Sequence, residues 1–192
     1  MNKPRLIVTN VLVFVVTGLI AFVGVPFWAF SYGFDTTEII TTVVLFFVTG
    51  MSITAGYHRL WAHKTYEAHP VVKVFLAIGG AMALQNSILH WSSDHRVHHR
   101  HVDVNDKDPY SAKKGFWFSH MGWMLREYQA ESYGDYRNCK DLLKDKVVMW
   151  QHNHYLAIVL AANFGITALL GWINGDVLSM ILSGEQLDVP KH

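Results

Sequence analysis

The sequence predicts an all-α integral membrane protein with three spanning helices, one interfacial or re-entrant helix and a cytoplasmic helical cap. Hydrophobic residues make up 51% of the 192 positions and charged residues only 16%, which is more apolar than a usual soluble domain. The charges are bunched, so long uncharged runs alternate with polar stretches. Because no internal repeat or low-complexity tract divides the chain, residues 1–192 are predicted to form a single domain.

The first predicted span covers residues 6–34, an uncharged run between Arg5 and Asp35. It exceeds the roughly 20 residues that a helix needs to cross a bilayer. The run is too long for a signal-peptide core and no small-residue cleavage pattern follows it, so we expect it to stay uncleaved. By the positive-inside rule, Lys3 and Arg5 keep the N-terminus on the cytoplasmic side.

The second predicted span covers residues 39–57, after the short polar turn 35–38. It contains no charged residue and returns the chain to the cytoplasmic side. His58 and His63, which we call the first histidine group, follow its end. On a regular helix their rings would lie ~140° apart, which suits ligands of two different metal ions or a position at a helix end.

The second histidine group lies beyond the uncharged run 74–89 and consists of His95, His98 and His99. At about 100° per residue, a helix places these three imidazoles within one arc of its surface, which favours a metal site. If 74–89 crossed the membrane, the two groups would lie on opposite sides and could not share a metal centre. We therefore predict an interfacial or re-entrant helix at about 71–90, with Gly79-Gly80 as a flexible point.

The rest of the chain is predicted to form the cytoplasmic cap, about 91–154, and the third span, about 155–173. The cap holds most of the charged residues, and its segment Asp106-Lys-Asp-Pro109 indicates a turn whose carboxylates cap backbone groups rather than bind metal. The third span is again uncharged. The predicted protein is thus multi-pass, with the metal site and the N-terminus on the cytoplasmic side.

The composition narrows the chemistry of the histidine groups. Cys139 is the only cysteine, which excludes an intramolecular disulfide and a cysteine-built zinc site. Imidazole suits iron, zinc, copper or nickel, so five clustered histidines predict a metal centre. We interpret the isolated His69, His90, His101 and His120 as structural or solvated residues. The net charge of +1 and the lack of a basic block indicate no nucleic-acid partner.

Three motifs resemble those of the membrane-bound acyl-CoA (stearoyl-CoA type, Δ9) fatty acid desaturases: HRLWAH, DHRVHH and DKDPYSAKKGFWFSHMGWML. The resemblance implies an oxidoreductase that uses O2 and two electrons to introduce a cis double bond, at Δ9, into a saturated fatty acyl-CoA. It also implies an electron donor of cytochrome or ferredoxin type and contact with membrane lipid. Its cofactor would be two non-haem irons, held by His58, His63, His95, His98 and His99.

Carried over residue by residue, the resemblance places Gln85 and Trp91 at the acyl chain, and Asn86 and Asp94 near the thioester carrier. Two of these have a plainer interpretation, since Trp91 suits an interfacial anchor and Gln85 a buried hydrogen bond. Ser93 stands where the family has an arginine. That difference leaves open whether the acyl thioester is carried by coenzyme A, by an acyl-carrier protein or by a lipid.

The family's third histidine box, of the HxxHH type, has no counterpart in this sequence. His152-x-His154 has the wrong spacing, and five imidazoles are too few for two irons that need about four to six ligands each. We therefore expect a truncated form of a desaturase. Two other functions stay open: a membrane hydroxylase of the histidine-box superfamily, and a non-catalytic membrane metal-binding fragment.

Overall fold

The computed structural model describes residues 4–104, 107–128 and 133–173, and these residues form helices joined by turns. The described part contains no strand beyond one isolated bridge between Leu6 and Arg126. Short 3-10 turns join the helices of the cap. The helices are α1 (Val8–Ser31), α2 (Thr36–Ala62), α3 (Pro70–Met82), α4 (Ile88–Arg100), α5 (Phe116–His120), α6 (Lys146–Asn153) and α7 (Tyr155–Ile173).

Within the described residues, helices α1 and α2 are the two that are long and apolar enough to cross a bilayer, with 24 and 27 residues. None of the residues in the apolar window of α1 is buried inside the protein, so its large side chains suit a lipid environment. Helix α3 and the Tyr155–Leu169 part of α7 are shorter apolar helices. The third span therefore stays a prediction.

A capping box starts α2 directly after the turn from α1. The Asp35 carboxylate accepts the N–H of Glu38 at 2.7 Å, and the Glu38 carboxylate accepts the N–H of Asp35 at 2.9 Å. Two backbone donors at the helix start are thereby satisfied by side chains. The polar turn 35–38 thus fixes where the second apolar helix begins.

The last part of α2, Ser52–Ala62, is a π-helix, in which each N–H bonds to the carbonyl five residues earlier. Helix α3 packs closely against this segment. A Cβ atom at Gly79 would collide with Ser52, and one at Gly80 would collide with the Tyr57 ring. The prediction of a flexible point at this glycine pair is wrong, because both residues lie within α3 and serve close contact.

The predicted helix 71–90 is two helices in the structure. Helix α3 ends at Met82, and α4 begins only at Ile88. Between them Asn86 takes a left-handed conformation with φ 70°, which asparagine tolerates better than most residues. At ~1.5 Å per residue the 13 residues of α3 reach ~20 Å, short of the ~30 Å hydrocarbon core.

Gln151 of α6 joins three helices in the core. Its side chain is fully buried, its Nε2 donates to the Tyr57 hydroxyl at 2.6 Å, and its Oε1 accepts the N–H of Ile88 at 3.0 Å. Its two partners, Tyr57 and Ile88, belong to the hydrophobic core, together with Leu60, Trp61, Leu76, Ala77, Leu89, Cys139, Leu142 and Val148. The end of α2 and the start of α4 are therefore held against the same buried amide.

The N-terminal residues pair with the cap. The N–H of Ile7 donates to the carbonyl of Leu125 at 2.9 Å, and the N–H of Glu127 donates to the carbonyl of Arg5 at 2.9 Å. The Asn10 side chain adds a bond to the Met124 carbonyl at 2.7 Å. The beginning of α1 therefore lies against the cap.

Arg96 of α4 attaches the end of α2 to the cap. It donates to the carbonyls of Trp61 and Ala62 at 2.8 and 3.1 Å, which α2 itself leaves unpaired. It also forms a two-pronged ion pair with Asp141 at 2.8 and 3.0 Å, and Lys64 reaches the same carboxylate at 2.9 Å. The hydrogen bond from Arg96 is the main cause that lowers the pKa of Asp141.

We expect Asp141→Asn to lower the free energy of unfolding by about 1–2 kcal/mol at neutral pH, since it removes charge-assisted bonds to Arg96 and Lys64. A lowered pKa in the folded state means that the contribution is complete above about pH 4 and is lost as acid protonates the carboxylate. Unfolding in detergent at several pH values measures this. The control is Asp135→Asn, whose carboxylate pairs locally with Arg137. Equal stability of Asp141→Asn and wild type at neutral pH would contradict the prediction.

We expect single cysteines at positions 66 and 104, in a Cys139→Ser background, to react with an impermeant maleimide from the same side of the membrane. The reason is that the histidine groups on either side of α3 meet, so α3 does not separate them. Tyr66 and Val104 are both exposed. Phe34→Cys, in the exposed turn between α1 and α2, should label from the opposite side. Labelling of 66 and 104 from different sides would refute the interfacial placement of α3.

Candidate metal centre

Four histidines from two helices converge in the structure. One ring nitrogen from each lies within 4.8 Å of those of the others, so they could hold a metal ion together. Nε2 of His95 lies 3.1 Å from Nε2 of His63 and 3.1 Å from Nε2 of His99. The end of α2 supplies two of them and α4 the other two; the set, which we call the histidine cluster, is His58, His63, His95 and His99.

The π-helix at the end of α2 explains why the first histidine group faces one cluster. The N–H of His63 donates to the carbonyl of His58 at 2.9 Å, so the five-residue spacing matches one π turn. The two rings come within 4.5 Å between centroids. The ~140° separation of a regular helix therefore does not apply to this segment, and the predicted alternative of a position at a helix end is confirmed for His63. His63 follows the last helical residue.

The surroundings of His95 favour a neutral imidazole. Burial lowers the pKa of His95 to about 3, and the nearby rings of His99, His58, His63 and His98 add to this effect. A neutral imidazole has the lone pair that a metal ligand requires. His95 is thus in the protonation state that suits metal binding.

His98, the fifth predicted ligand, lies beside the cluster but outside it. Its ring centroid is 6.2 Å from that of His95 and 5.5 Å from that of His99. Its Nδ1 lies 2.8 Å from Oδ1 of the buried Asp108. Asp108 also accepts two backbone N–H groups, as the sequence predicts for a capping turn, whereas its contact with His98 is not predicted by the sequence.

The predicted acyl-chain residues lie next to the cluster. The Trp91 ring stacks on His95 at 4.6 Å between centroids, and its Nε1 donates to Oε1 of Gln85 at 3.3 Å. Gln85 in turn borders a groove of about 360 Å³ whose other walls come from α2 and the end of α3: Phe46, Thr49, Gly50, Ile53, Thr54 and Ala83.

The two predicted carrier residues make internal contacts. The N–H of Asn86 donates to the Tyr155 hydroxyl at 3.0 Å, and its carbonyl accepts the Tyr57 hydroxyl at 3.2 Å. Asp94 lies 3.4 Å from Nε2 of His90, and burial raises its pKa to about 6. Asn86 therefore shapes the turn between α3 and α4.

Other histidines of the described residues have local partners instead. The N–H of Val71 donates to Nδ1 of His69, which thereby caps α3. Nδ1 of His152 lies 2.7 Å from the hydroxyl of Ser87. His120 and His154 each have Nδ1 next to the backbone carbonyl four residues earlier. None of these rings belongs to the histidine cluster.

The described residues form a helical protein with two helices long and apolar enough to cross a membrane and a candidate metal centre made of histidines. A family model described as fatty acid desaturase matches residues 36–183. The chain is 43% identical over 159 residues to a probable acyl-CoA desaturase of Schizosaccharomyces pombe, covering 80% of this chain and 33% of that protein. It is 42% identical over 137 residues to a stearoyl-CoA desaturase of Bos taurus, covering 70% and 38%.

A third relative, a Delta(9)-fatty-acid desaturase of Caenorhabditis elegans, is 36% identical over 170 residues, which cover 88% of this chain and 49% of the relative. The chain thus spans between about a third and a half of the length of these relatives. It belongs to the fatty acid desaturase family.

We expect His95→Ala, His98→Ala and His99→Ala each to lose bound iron, by tenfold or more in affinity, while the protein still inserts into the membrane. An unfilled coordination position weakens the metal but leaves the apolar burial of the helices unchanged. Elemental analysis of the purified variants measures the iron. His120→Ala, an exposed histidine outside the cluster, is the matched control. Wild-type iron content in His98→Ala would refute that residue's assignment as a ligand.

Proposed function

We propose that this chain supplies the first two histidine boxes of an iron-dependent acyl-CoA desaturase, which introduces a cis double bond at Δ9 into a saturated acyl chain. The observation that carries the proposal is the convergence of four imidazoles from α2 and α4. Neutral imidazole is a suitable ligand for iron, and the sequence offers only one thiol, the buried Cys139.

The histidine cluster would hold iron, together with His98 beside it. Iron so bound would supply the dioxygen chemistry that removes two hydrogens from an unactivated methylene, which no side chain can do. The five imidazoles fall short of the about four to six ligands that each of two irons needs. The proposal therefore includes further ligands from outside this set.

The chain's own residues would orient the substrate. Trp91 presents an indole surface that is stacked on His95, and Gln85 fixes that indole through its hydrogen bond. The groove beside Gln85 offers Phe46 and Ile53 of α2 as apolar contacts for an acyl chain. We assign Gln85 and Trp91 to the acyl chain on this basis.

Asn86 and Asp94 stay assigned near the thioester, and coenzyme A is the carrier that we propose. Ser93, where the family resemblance has an arginine, is buried and donates to Oδ1 of Asn138 at 2.9 Å. It therefore makes an internal contact and cannot replace an arginine in binding phosphate.

We further propose that the protein is multi-pass, with the N-terminus and the metal centre on the cytoplasmic side. The backbone pairing of Ile7 with Leu125 supports a common side, because it ties the start of α1 to the cap. The positive charges at positions 3 and 5 support the cytoplasmic choice. Dioxygen and an electron donor of cytochrome or ferredoxin type would reach the centre from that side.

We expect a chimera, in which this chain replaces the matching segment of the Schizosaccharomyces pombe relative, to make monounsaturated fatty acids in a host unable to produce them. The segment expressed alone should make none, because its five imidazoles do not complete two irons. Gas chromatography of membrane lipids gives the readout, and the chimera with His95→Ala is the inactive control.

A chimera that is inserted and loaded with iron but yields no unsaturated product would overturn the proposal. Hydroxylated fatty acids in its place would favour the hydroxylase. Monounsaturated chains from the segment alone would show that other residues complete the site, with His120, His152 and His154 the first candidates.

A further inference from the structure

We propose that Asp108 is a positioning residue of the metal centre: it holds the Nδ1–H of His98 so that Nε2 is the nitrogen presented to the metal. The inference rests on the proposed function, in which His98 is a ligand, and it adds a residue outside the histidine groups. His98 is the one predicted ligand that the histidine cluster does not include. The group that orients the His98 ring therefore decides whether His98 can bind the metal.

The Asp108 carboxylate is an acceptor on all sides. Its side chain has no exposed surface, and it receives the N–H of Asp103 on Oδ2 at 2.9 Å and the N–H of Tyr110 on Oδ1 at 3.1 Å. A buried carboxylate is stable only when hydrogen-bond donors surround it. With backbone donors pointing at both oxygens, the third partner must also be a donor.

That third partner is Nδ1 of His98, 2.8 Å from Oδ1. A neutral imidazole carries one proton, so a proton fixed on Nδ1 leaves the lone pair on Nε2. Carboxylates that accept the second N–H of a ligating histidine fix its tautomer and ring orientation in this way. The hydrogen bond thus selects the tautomer of His98 that can bind metal through Nε2.

His95, a member of the cluster, also has its Nδ1 beside a side chain of the same loop. Its Nδ1 lies 3.3 Å from the Tyr110 hydroxyl, while its Nε2 is within 3.1 Å of Nε2 of His63. The Tyr110 ring also packs against His98, with 4.4 Å between centroids. One loop therefore engages Nδ1 of both histidines, and in His95 this leaves Nε2 facing the cluster.

Capping the turn does not by itself require the contact with His98. Asp103 is the matched comparison, because its carboxylate accepts the N–H of Ala112 at 3.1 Å in the same loop without a contact to a histidine ring. Its φ of 60° is one that asparagine adopts readily. Asp103→Asn therefore removes the same charge from the same loop and leaves His98 untouched.

The first measurement is the tautomer of His98 in the metal-free full chain, from the 15N shifts of labelled histidine at alkaline pH, with His98→Gln to assign the signal. We expect Nδ1 to carry the proton in wild type and in Asp103→Asn. Asp108→Ala removes the acceptor beside Nδ1, so the proton should no longer be fixed there and the Nε2–H form should appear. Asp108→Glu, which keeps an acceptor, should restore the wild-type tautomer.

The second measurement is a Co2+ titration followed by visible absorption. We expect Asp108→Ala to weaken Co2+ binding by about 10–100-fold, the usual effect of losing such a partner, and Asp103→Asn to match wild type. A wild-type His98 protonated on Nε2 overturns the inference without any variant. So does Asp108→Ala with unchanged Co2+ affinity. If wild type binds no Co2+, the metal-centre proposal fails, whereas the tautomer readout still tests the hydrogen bond separately.

Discussion

The contact between the end of α2 and α4 is the constraint on which the rest of the structure depends. Arg96 holds this contact together, because its guanidinium donates to the last carbonyls of α2 and pairs with Asp141 of the cap. Gln151 holds the same two helices from the other end through Tyr57 and the N–H of Ile88. With both ends fixed, the rings of the histidine cluster have little freedom to separate. The metal centre is therefore a product of helix packing and not of one loop.

The sequence predicted the parts of this arrangement that depend on local pattern. Long uncharged runs identified α1 and α2, and tight spacing identified the two histidine groups, because both signals lie within a few turns of one helix. The meeting of the two groups followed from a requirement of chemistry, that one centre needs its ligands on one side. Nothing in the apolar pattern alone carried that information.

Other parts depended on geometry that a regular helical period does not contain. The five-residue spacing of His58 and His63 was the signal of the π-helix. A regular α-helix, with 100° per residue, would instead place the two rings on different sides. The break between α3 and α4 had a signal in Asn86 and in Ser87, which caps α4. The contact of Asp108 with His98 had no signal in the sequence, since the sequence of a turn does not show whether a histidine ring lies beside its carboxylate.

The pairing of the N-terminus with the cap has a consequence for biosynthesis. Asn10 and Met124 bond although they are 114 positions apart, so the first helix leaves the ribosome long before its partner exists. At about 5–20 residues per second that interval is roughly 6 to 23 seconds. During it α1 lacks this partner, and the apolar window of the helix has no residue buried inside the protein. The order of synthesis thus supplies α1, a helix long and apolar enough to cross a bilayer, before the cap that pairs with its first residues.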